Sequence, residues 1–181
     1  EECRQRHVAL DKMNLNFSGS EEDQWHAHSP RLVQALLQQE CWDRWESKGY
    51  PIERLHDFDT TADFMARLET IDNMSKAEVE SQYVKLSLPL EKGIGAPELS
   101  KRLKIWAFWK ALSWIELLSE CERSHVTTSD LNLTGDEEDL WHRHSSALCL
   151  LLLDHERLNY WEARGFAARR IGSVDKIGAL A

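Results

Sequence analysis

The chain has 181 residues, of which 42% are hydrophobic and 29% charged, and its formal net charge is -9. A chain of this length and composition can form a globular fold without the help of disulfide bridges. The acidic balance argues against non-specific binding to nucleic acid. The longest wholly apolar run, residues 147–153, is far shorter than the roughly 20 residues that a membrane helix needs, so no membrane span is expected.

The sequence contains an internal repeat. Residues 15–55 align without a gap on residues 131–171, and 18 of the 41 positions are identical, whereas chance would give about 2 or 3. The pattern Leu-Asn-x-[Ser/Thr]-Gly-x-Glu-Glu-Asp-x-Trp-His-x-His-Ser occurs in both copies. Glu-Cys and His-Val pairs upstream extend the similarity. We therefore place copy 1 at residues 2–55 and copy 2 at residues 120–171.

Each copy is predicted to begin a helix at a capping box, Ser18-Gly-Ser-Glu21 in copy 1 and Thr134-Gly-Asp-Glu137 in copy 2. The acidic residues that follow would lie in the first turn, where the helix dipole favours them. In copy 1, Ser29-Pro30 is a second start signal. We therefore expect a short helix to break or kink there before a longer one.

The longer helix of each copy carries apolar residues three and four positions apart, which predicts a buried stripe. The stripe comprises Leu32, Val33, Leu36, Leu37 and Trp45 in copy 1, and Leu148, Cys149, Leu152, Leu153 and Trp161 in copy 2. Gly49 and Gly165 each precede an aromatic residue, which is typical of a Schellman motif at a helix C-terminus.

The connector, residues 56–119, has no second copy. We predict one helix over 60–71, with Phe64, Met65 and Leu68 facing inward. A second helix is predicted over 75–86, where it opens with the capping box Ser75-Lys-Ala-Glu78, and a loop at the prolines and glycines of 89–97. A long helix over 98–120 follows. Its second half is apolar on nearly every side, which predicts that this helix is buried all round or covered by a partner.

These elements predict an all-α fold. No segment shows sustained alternation of apolar and polar residues, so little or no sheet is expected. We interpret residues 1–181 as a single domain in which the two copies pack about a pseudo-two-fold axis around the buried central helix, with residues 172–181 as a tail.

The duplicated cysteines and histidines are the candidate metal ligands. Each copy offers one thiol and three imidazoles, which are the ligand types of tetrahedral zinc. The residues are Cys3, His7, His26 and His28 in copy 1, and Cys121, His125, His142 and His144 in copy 2. A smaller set of Cys3, His7 and one of His26 or His28 fits equally well, with Glu22 in reach of His26. The alternatives are that the histidines pack helix junctions beside acidic residues, or that Cys3 and Cys121 form a disulfide.

Eight tryptophans are many for this length. Most have the helical spacing of core residues, but tryptophan is also enriched at interface hot spots. Trp25, Trp42 and Trp141 are the candidate binding residues. Trp42 is the strongest of them, because Leu158 occupies the matching position in copy 2.

The sequence shows no glycine-rich phosphate loop, no His-Glu-x-x-His pattern and no Gly-x-Ser-x-Gly elbow. We therefore predict a non-catalytic protein-binding or scaffold module with a protein partner, which the Cys/His sets could equip with structural zinc. The alternative is a small metal-dependent enzyme, in which a Cys/His site activates water and Glu22 or Glu138 is the general base. The four cysteines fit either a reduced intracellular protein or a lightly bridged secreted one. Three sequons, at Asn16, Asn73 and Asn132, favour secretion, but two of them are one sequon repeated in both copies, and we favour an intracellular protein by a small margin.

Overall fold

The computed structural model describes residues 18–55, 57–129, 131 and 134–171. Within these ranges every regular element is a helix, which confirms the all-α prediction. No described helix is both long and apolar enough to cross a membrane.

The chain divides into two compact units, residues 1–53 and 54–181. The α-helices are α1 (Glu21–Glu46), α2 (Phe58–Asp72), α3 (Lys76–Lys85), α4 (Ala96–Ala111), α5 (Trp114–Arg123), α6 (Glu137–Glu162) and α7 (Ala168–Ile171), and a 3-10 turn covers Ile52–Arg54.

The helices α1 and α6 both begin two residues later than predicted. Their N-caps are Ser20, whose side chain accepts from the Asp23 amide, and Asp136, whose side chain accepts from the Asp139 amide. The preceding glycines explain the shift. Gly19 and Gly135 have φ of 105° and 138°, which no residue of a right-handed helix can adopt, so each helix can begin only after its glycine.

Pro30 does not end α1. The helix runs without interruption from Glu21 to Glu46, and Pro30 lies inside it, so the predicted break into a short and a longer helix is wrong, while the alternative of a kink stays a prediction. A proline inside a helix removes one backbone hydrogen bond. The other intrahelical hydrogen bonds of this 26-residue element keep the chain helical on both sides of it.

The stripe prediction is confirmed for α6 and wrong for α1. Leu148, Cys149, Leu152, Leu153 and Trp161 are all buried, whereas none of the α1 residues is. The difference lies in what packs against each helix. In the second unit, α4, α5 and α7 all pack on α6. Apolar spacing therefore predicted which residues share one side of α1, but it did not predict that this side is exposed.

The connector helices α2 and α3 follow the prediction closely. Phe64, Met65 and Leu68 of α2 are buried as expected. Ser75 and Glu78 form the predicted capping box at the start of α3. The Ser75 amide donates to Glu78 Oε2 at 2.7 Å, and the Glu78 amide donates to Ser75 Oγ at 3.4 Å.

The long helix predicted over 98–120 is instead two helices, α4 and α5. The backbone is extended at Leu112 (φ -71°, ψ 150°), and Ser113 caps α5 by accepting from the Glu116 amide at 3.2 Å. A serine side chain that bonds the backbone competes with helix continuation. Ser113-Trp-Ile-Glu116 has the capping-box spacing, which the surrounding apolar run obscured.

The helix α4 is central within the second unit, since α2, α3 and α6 all pack against it. It buries Leu99, Leu103, Trp106, Ala107 and Trp109. The burial predicted for the second half of the 98–120 segment is therefore confirmed in part, since Ile115 of that half is 61% exposed. Arg54 at the edge of the unit holds α5 through Glu116 Oε2 at 2.8 Å and Glu120 Oε2 at 2.7 Å.

The two repeat helices have equivalent ends. Helix α1 runs from residue 21 to residue 46, and α6 runs from residue 137 to residue 162. Both ends are offset by 116 residues, which is also the offset between the two aligned copies in the sequence. Gly165 ends α6 in the predicted Schellman motif, because its amide donates to the Glu162 carbonyl at 2.9 Å and the Phe166 amide donates to the Trp161 carbonyl at 3.1 Å. Gly49 after α1 likewise has positive φ, and its amide donates to the Glu46 carbonyl at 2.8 Å.

Candidate functional site

The exposed apolar side of α1 is the first candidate surface. Trp25, Leu32, Val33, Leu36 and Leu37, which we call the α1 face, lie within an arc of about 140° at 100° per residue. Trp25 is 64% exposed, Val33 51% and Leu37 58%, while Leu32 and Leu36 are half-buried. Such an apolar patch on one helix is a typical contact surface for a protein partner.

The same face is covered in α6. Leu153 occupies the position equivalent to Leu37 and is 0% exposed, and Leu148, equivalent to Leu32, is also 0% exposed. The same apolar spacing therefore occurs in α1 and in α6, but the two helices lie in different environments. In the second unit α6 lies against neighbouring helices, and in the first unit no described residue of α1 is buried.

The acidic first turn borders Trp25. Glu21, Glu22 and Asp23 lie there, and His26 Nε2 is 4.0 Å from Glu22 Oε1 with both side chains exposed. An ion pair at that distance and exposure contributes little to stability. It matches the spacing predicted for Glu22 and His26, and it gives the end of the α1 face a negative rim.

The three candidate tryptophans lie in different environments. Trp25 is exposed, whereas Trp42 is half-buried and packs edge-on against Trp45 with ring centroids 5.9 Å apart. Trp141 is also half-buried, and the Lys110 ammonium lies 5.1 Å from its ring centroid. Of the three, Trp25 and not Trp42 offers the largest fraction of its surface to a partner.

The described histidines of copy 1 point in different directions. Because α1 continues through this region, the side chains of His26 and His28 leave the helix about 200° apart. Cys3 and His7, the other two predicted ligands, lie outside the described residues. The zinc set of copy 1 therefore stays a prediction.

Copy 2 is described at all four predicted ligand positions. His125 is exposed and follows α5 with φ of 53°, so it ends that helix and does not continue the face that carries Cys121. His142 is exposed beside Glu138, and His144 packs against Trp114 with ring centroids 6.4 Å apart. Among the described residues no three His, Cys, Asp or Glu side chains are grouped to hold a metal.

The buried thiols of the second unit have properties of packing residues. Cys121 and Cys149 are both 0% exposed. Burial raises the pKa of the Cys121 thiol to about 11 and that of Cys149 to about 12. A thiolate is the form that binds metals and attacks electrophiles, so both residues are held in the unreactive form. Both are free thiols. Cys3 lies outside the described residues, but because Cys121 is a free thiol, the alternative of a bridge between the two is wrong.

A buried ionic cluster was missed by sequence reasoning. The carboxylate of Glu91 accepts from Arg102 Nη1 at 2.5 Å, from Arg157 Nε at 2.6 Å and from Trp161 Nε1 at 2.6 Å. All four side chains are buried. Glu98 Oε1 accepts from Arg102 Nε at 2.9 Å, and Asp154 Oδ1 accepts from Arg157 Nη1 at 2.6 Å. The cluster joins the loop before α4 to α4 and α6, and its carboxylate is fully engaged by protein groups, as in a structural site.

No known protein-family model, no curated protein and no solved structure matches this chain.

Proposed function

We propose that this chain is a non-catalytic protein-binding or scaffold module, built by internal duplication, whose α1 face binds a protein partner. The observation that carries the proposal is the contrast between the two repeat helices. Leu37 is 58% exposed and its counterpart Leu153 is 0% exposed. The equivalent face of α6 is buried against other helices, so the α1 face has the composition of a packing surface.

The composition of the α1 face fits this role. It combines a large exposed aromatic residue, Trp25, with exposed aliphatic residues, Val33 and Leu37. Trp is enriched among the few residues that carry most of the energy of an interface. When a partner covers such a face, each Å² of buried apolar surface contributes roughly 25 cal/mol to the free energy of binding. This is the main source of affinity that the face offers.

The repeat also indicates what kind of surface the partner presents. Helices cover this face in α6, so the expected partner offers an apolar helical surface to α1. The acidic first turn beside Trp25 favours a partner with basic residues at that end of the contact, because complementary charges set orientation and speed association.

The duplication itself supports a module whose two copies have diverged in role. The helices α1 and α6 have equal lengths of 26 residues and equivalent caps, while only α6 is packed into a core. In this proposal copy 2 supplies stability and copy 1 supplies the contact surface. The placement of the two copies about a pseudo-two-fold axis stays a prediction.

Co-purification with single-site variants tests the proposal. The tagged wild-type chain, Leu37→Asp and Ile115→Asp are used to capture proteins from an extract of the source cells. Ile115 is a matched control, because it is 61% exposed and belongs to α5 of the second unit. A protein retained by wild type and Ile115→Asp but lost from Leu37→Asp is expected. Equal retention by all three chains would contradict the proposal.

A further inference from the structure

A second surface, independent of the α1 face, lies in the second unit. A cavity of about 440 Å³ opens between α2, α3 and α4, and its apolar lining includes Ile71, Met74, Leu103 and Trp106. Its volume lies in the range of roughly 300–1,000 Å³ that is typical of small-molecule sites. The lining gives it the apolar surface that an aliphatic or aromatic body would need.

Two basic residues line this cavity. Arg67 and Lys110, together with Ala107, line both it and a second cavity of about 130 Å³. We call the wall that the two cavities share the junction. A single anionic group at the junction could contact both.

Arg67 and Lys110 differ from Arg54, Arg102 and Arg157 of the same unit in their ion pairing. Arg54, Arg102 and Arg157 each bind at least one carboxylate. Neither Arg67 nor Lys110 has a carboxylate within ion-pair distance among the residues that the structure describes. In a chain of net charge -9, two cations that line the same cavity and form no ion pair with a described carboxylate favour the binding of an anion there.

Lys110 is held in position. Its Nζ lies 3.1 Å from Ser145 Oγ and 3.4 Å from Ser146 Oγ, and 5.1 Å from the ring centroid of Trp141. An ammonium group has three donors, so the two serines leave one for a ligand. Arg67, which is exposed, can add a bidentate contact to a carboxylate.

Asp63 limits where the anion can lie. It lines the smaller cavity together with Arg67 and Lys110, and its negative charge disfavours a carboxylate that enters that space. The larger cavity has no acidic residue in its lining. An anionic group is therefore best placed at the junction, with its apolar body in the larger cavity.

We propose that the cavity between α2, α3 and α4 binds a small amphipathic monocarboxylate. Its apolar body lies on Ile71, Leu103 and Trp106, and its carboxylate lies between Arg67 and Lys110. The proposal assigns this surface to a small-molecule ligand, and it does not depend on the partner proposed for α1.

Calorimetric titration of the full chain with decanoate tests the assignment, with decylammonium as a probe of equal chain length and opposite charge. Decanoate is expected to bind once per chain with a Kd below about 1 mM, and decylammonium is not expected to bind. This comparison uses wild-type protein, so it does not depend on whether a variant folds.

Variants locate the carboxylate. Arg67→Gln and Lys110→Gln are each expected to weaken decanoate binding about tenfold, since each removes a charge-assisted hydrogen bond. Asp63→Asn is expected to tighten it about threefold by removing a nearby like charge. Lys101→Gln is the matched control, because Lys101 is exposed on α4 and lies outside the cavity lining; its affinity should equal that of wild type.

Several results would overturn the assignment. These are the absence of decanoate binding, equal binding of decylammonium, or unchanged affinity in both Arg67→Gln and Lys110→Gln. Binding of a helical peptide with a free carboxyl terminus, with no binding of decanoate, would also overturn it and would identify the cavity as a peptide groove.

Discussion

The pair of equivalent leucines in the repeat provides a direct stability test. Leu153→Ala removes a fully buried side chain, which typically costs about 2–5 kcal/mol from lost transfer energy and the remaining cavity. Leu37→Ala removes a side chain that is already 58% exposed. Full burial of a leucine contributes about 1.5–3 kcal/mol, so the smaller buried part of Leu37 predicts a loss below about 1 kcal/mol. The higher helix propensity of alanine offsets part of that loss.

Urea unfolding followed by far-ultraviolet circular dichroism measures both changes, with the slope of the transition as a check that the unfolded state is unaltered. Leu151→Ala is a matched control, because Leu151 is 41% exposed on the outer side of α6, and it should behave like Leu37→Ala. A loss for Leu37→Ala as large as that for Leu153→Ala would refute the reasoning. It would mean that the α1 face is already packed within the chain.

Four further variants or measurements test the packing and the helix cap of the second unit. Glu91→Ala should lower the free energy of unfolding by about 3–5 kcal/mol in urea titrations, because it leaves two buried arginines without their shared carboxylate; a loss below about 1 kcal/mol would contradict the cluster. In native protein at pH 8, peptide mapping after alkylation should find Cys41 modified well before Cys121 or Cys149, since Cys41 is half-buried and the other two thiols are buried with raised pKa. The same two thiols should make stability fall as pH rises from about 9 towards 11, because the unfolded chain loses their protons first; a flat profile there would contradict the pKa assignment. Asp136→Ala should cost about 1 kcal/mol in thermal melting through loss of the N-cap of α6, and an unchanged melting temperature would contradict that role.

Local signals in the sequence predicted local structure well. The capping box of Ser75 and Glu78 and the apolar spacing of α2 each depend on residues within one or two turns, and both predictions are confirmed. The start of α1 was placed two residues early, because the pattern allowed Ser18 as a cap while positive φ at Gly19 moved the cap to Ser20.

Features that depend on distant residues were not predicted. Glu91 contacts residues 11, 66 and 70 positions away in the sequence, and no local pattern marks it. The break before Ser113 was hidden by apolar residues on both sides, because a continuous apolar run obscures a single capping residue.

The exposure of the apolar residues of α1 could not be predicted from hydrophobic periodicity. Leu37 and Leu153 have equivalent sequence contexts, yet one is exposed and the other is buried. Periodicity shows that a helix has an apolar face, but it carries no information on which element covers that face. The candidate binding face was therefore visible in the sequence as a stripe, and its availability became visible only in the structure.

Photo-cross-linking from the two equivalent positions tests the proposed function most directly. A benzoylphenylalanine side chain is placed at position 37 in one protein and at position 153 in another, and each is irradiated in an extract of the source cells. The proposal predicts a covalent adduct with a second protein from position 37 and none from position 153. Adducts from position 37 that join only residues of the same chain would contradict it, because the α1 face would then be covered by the protein itself.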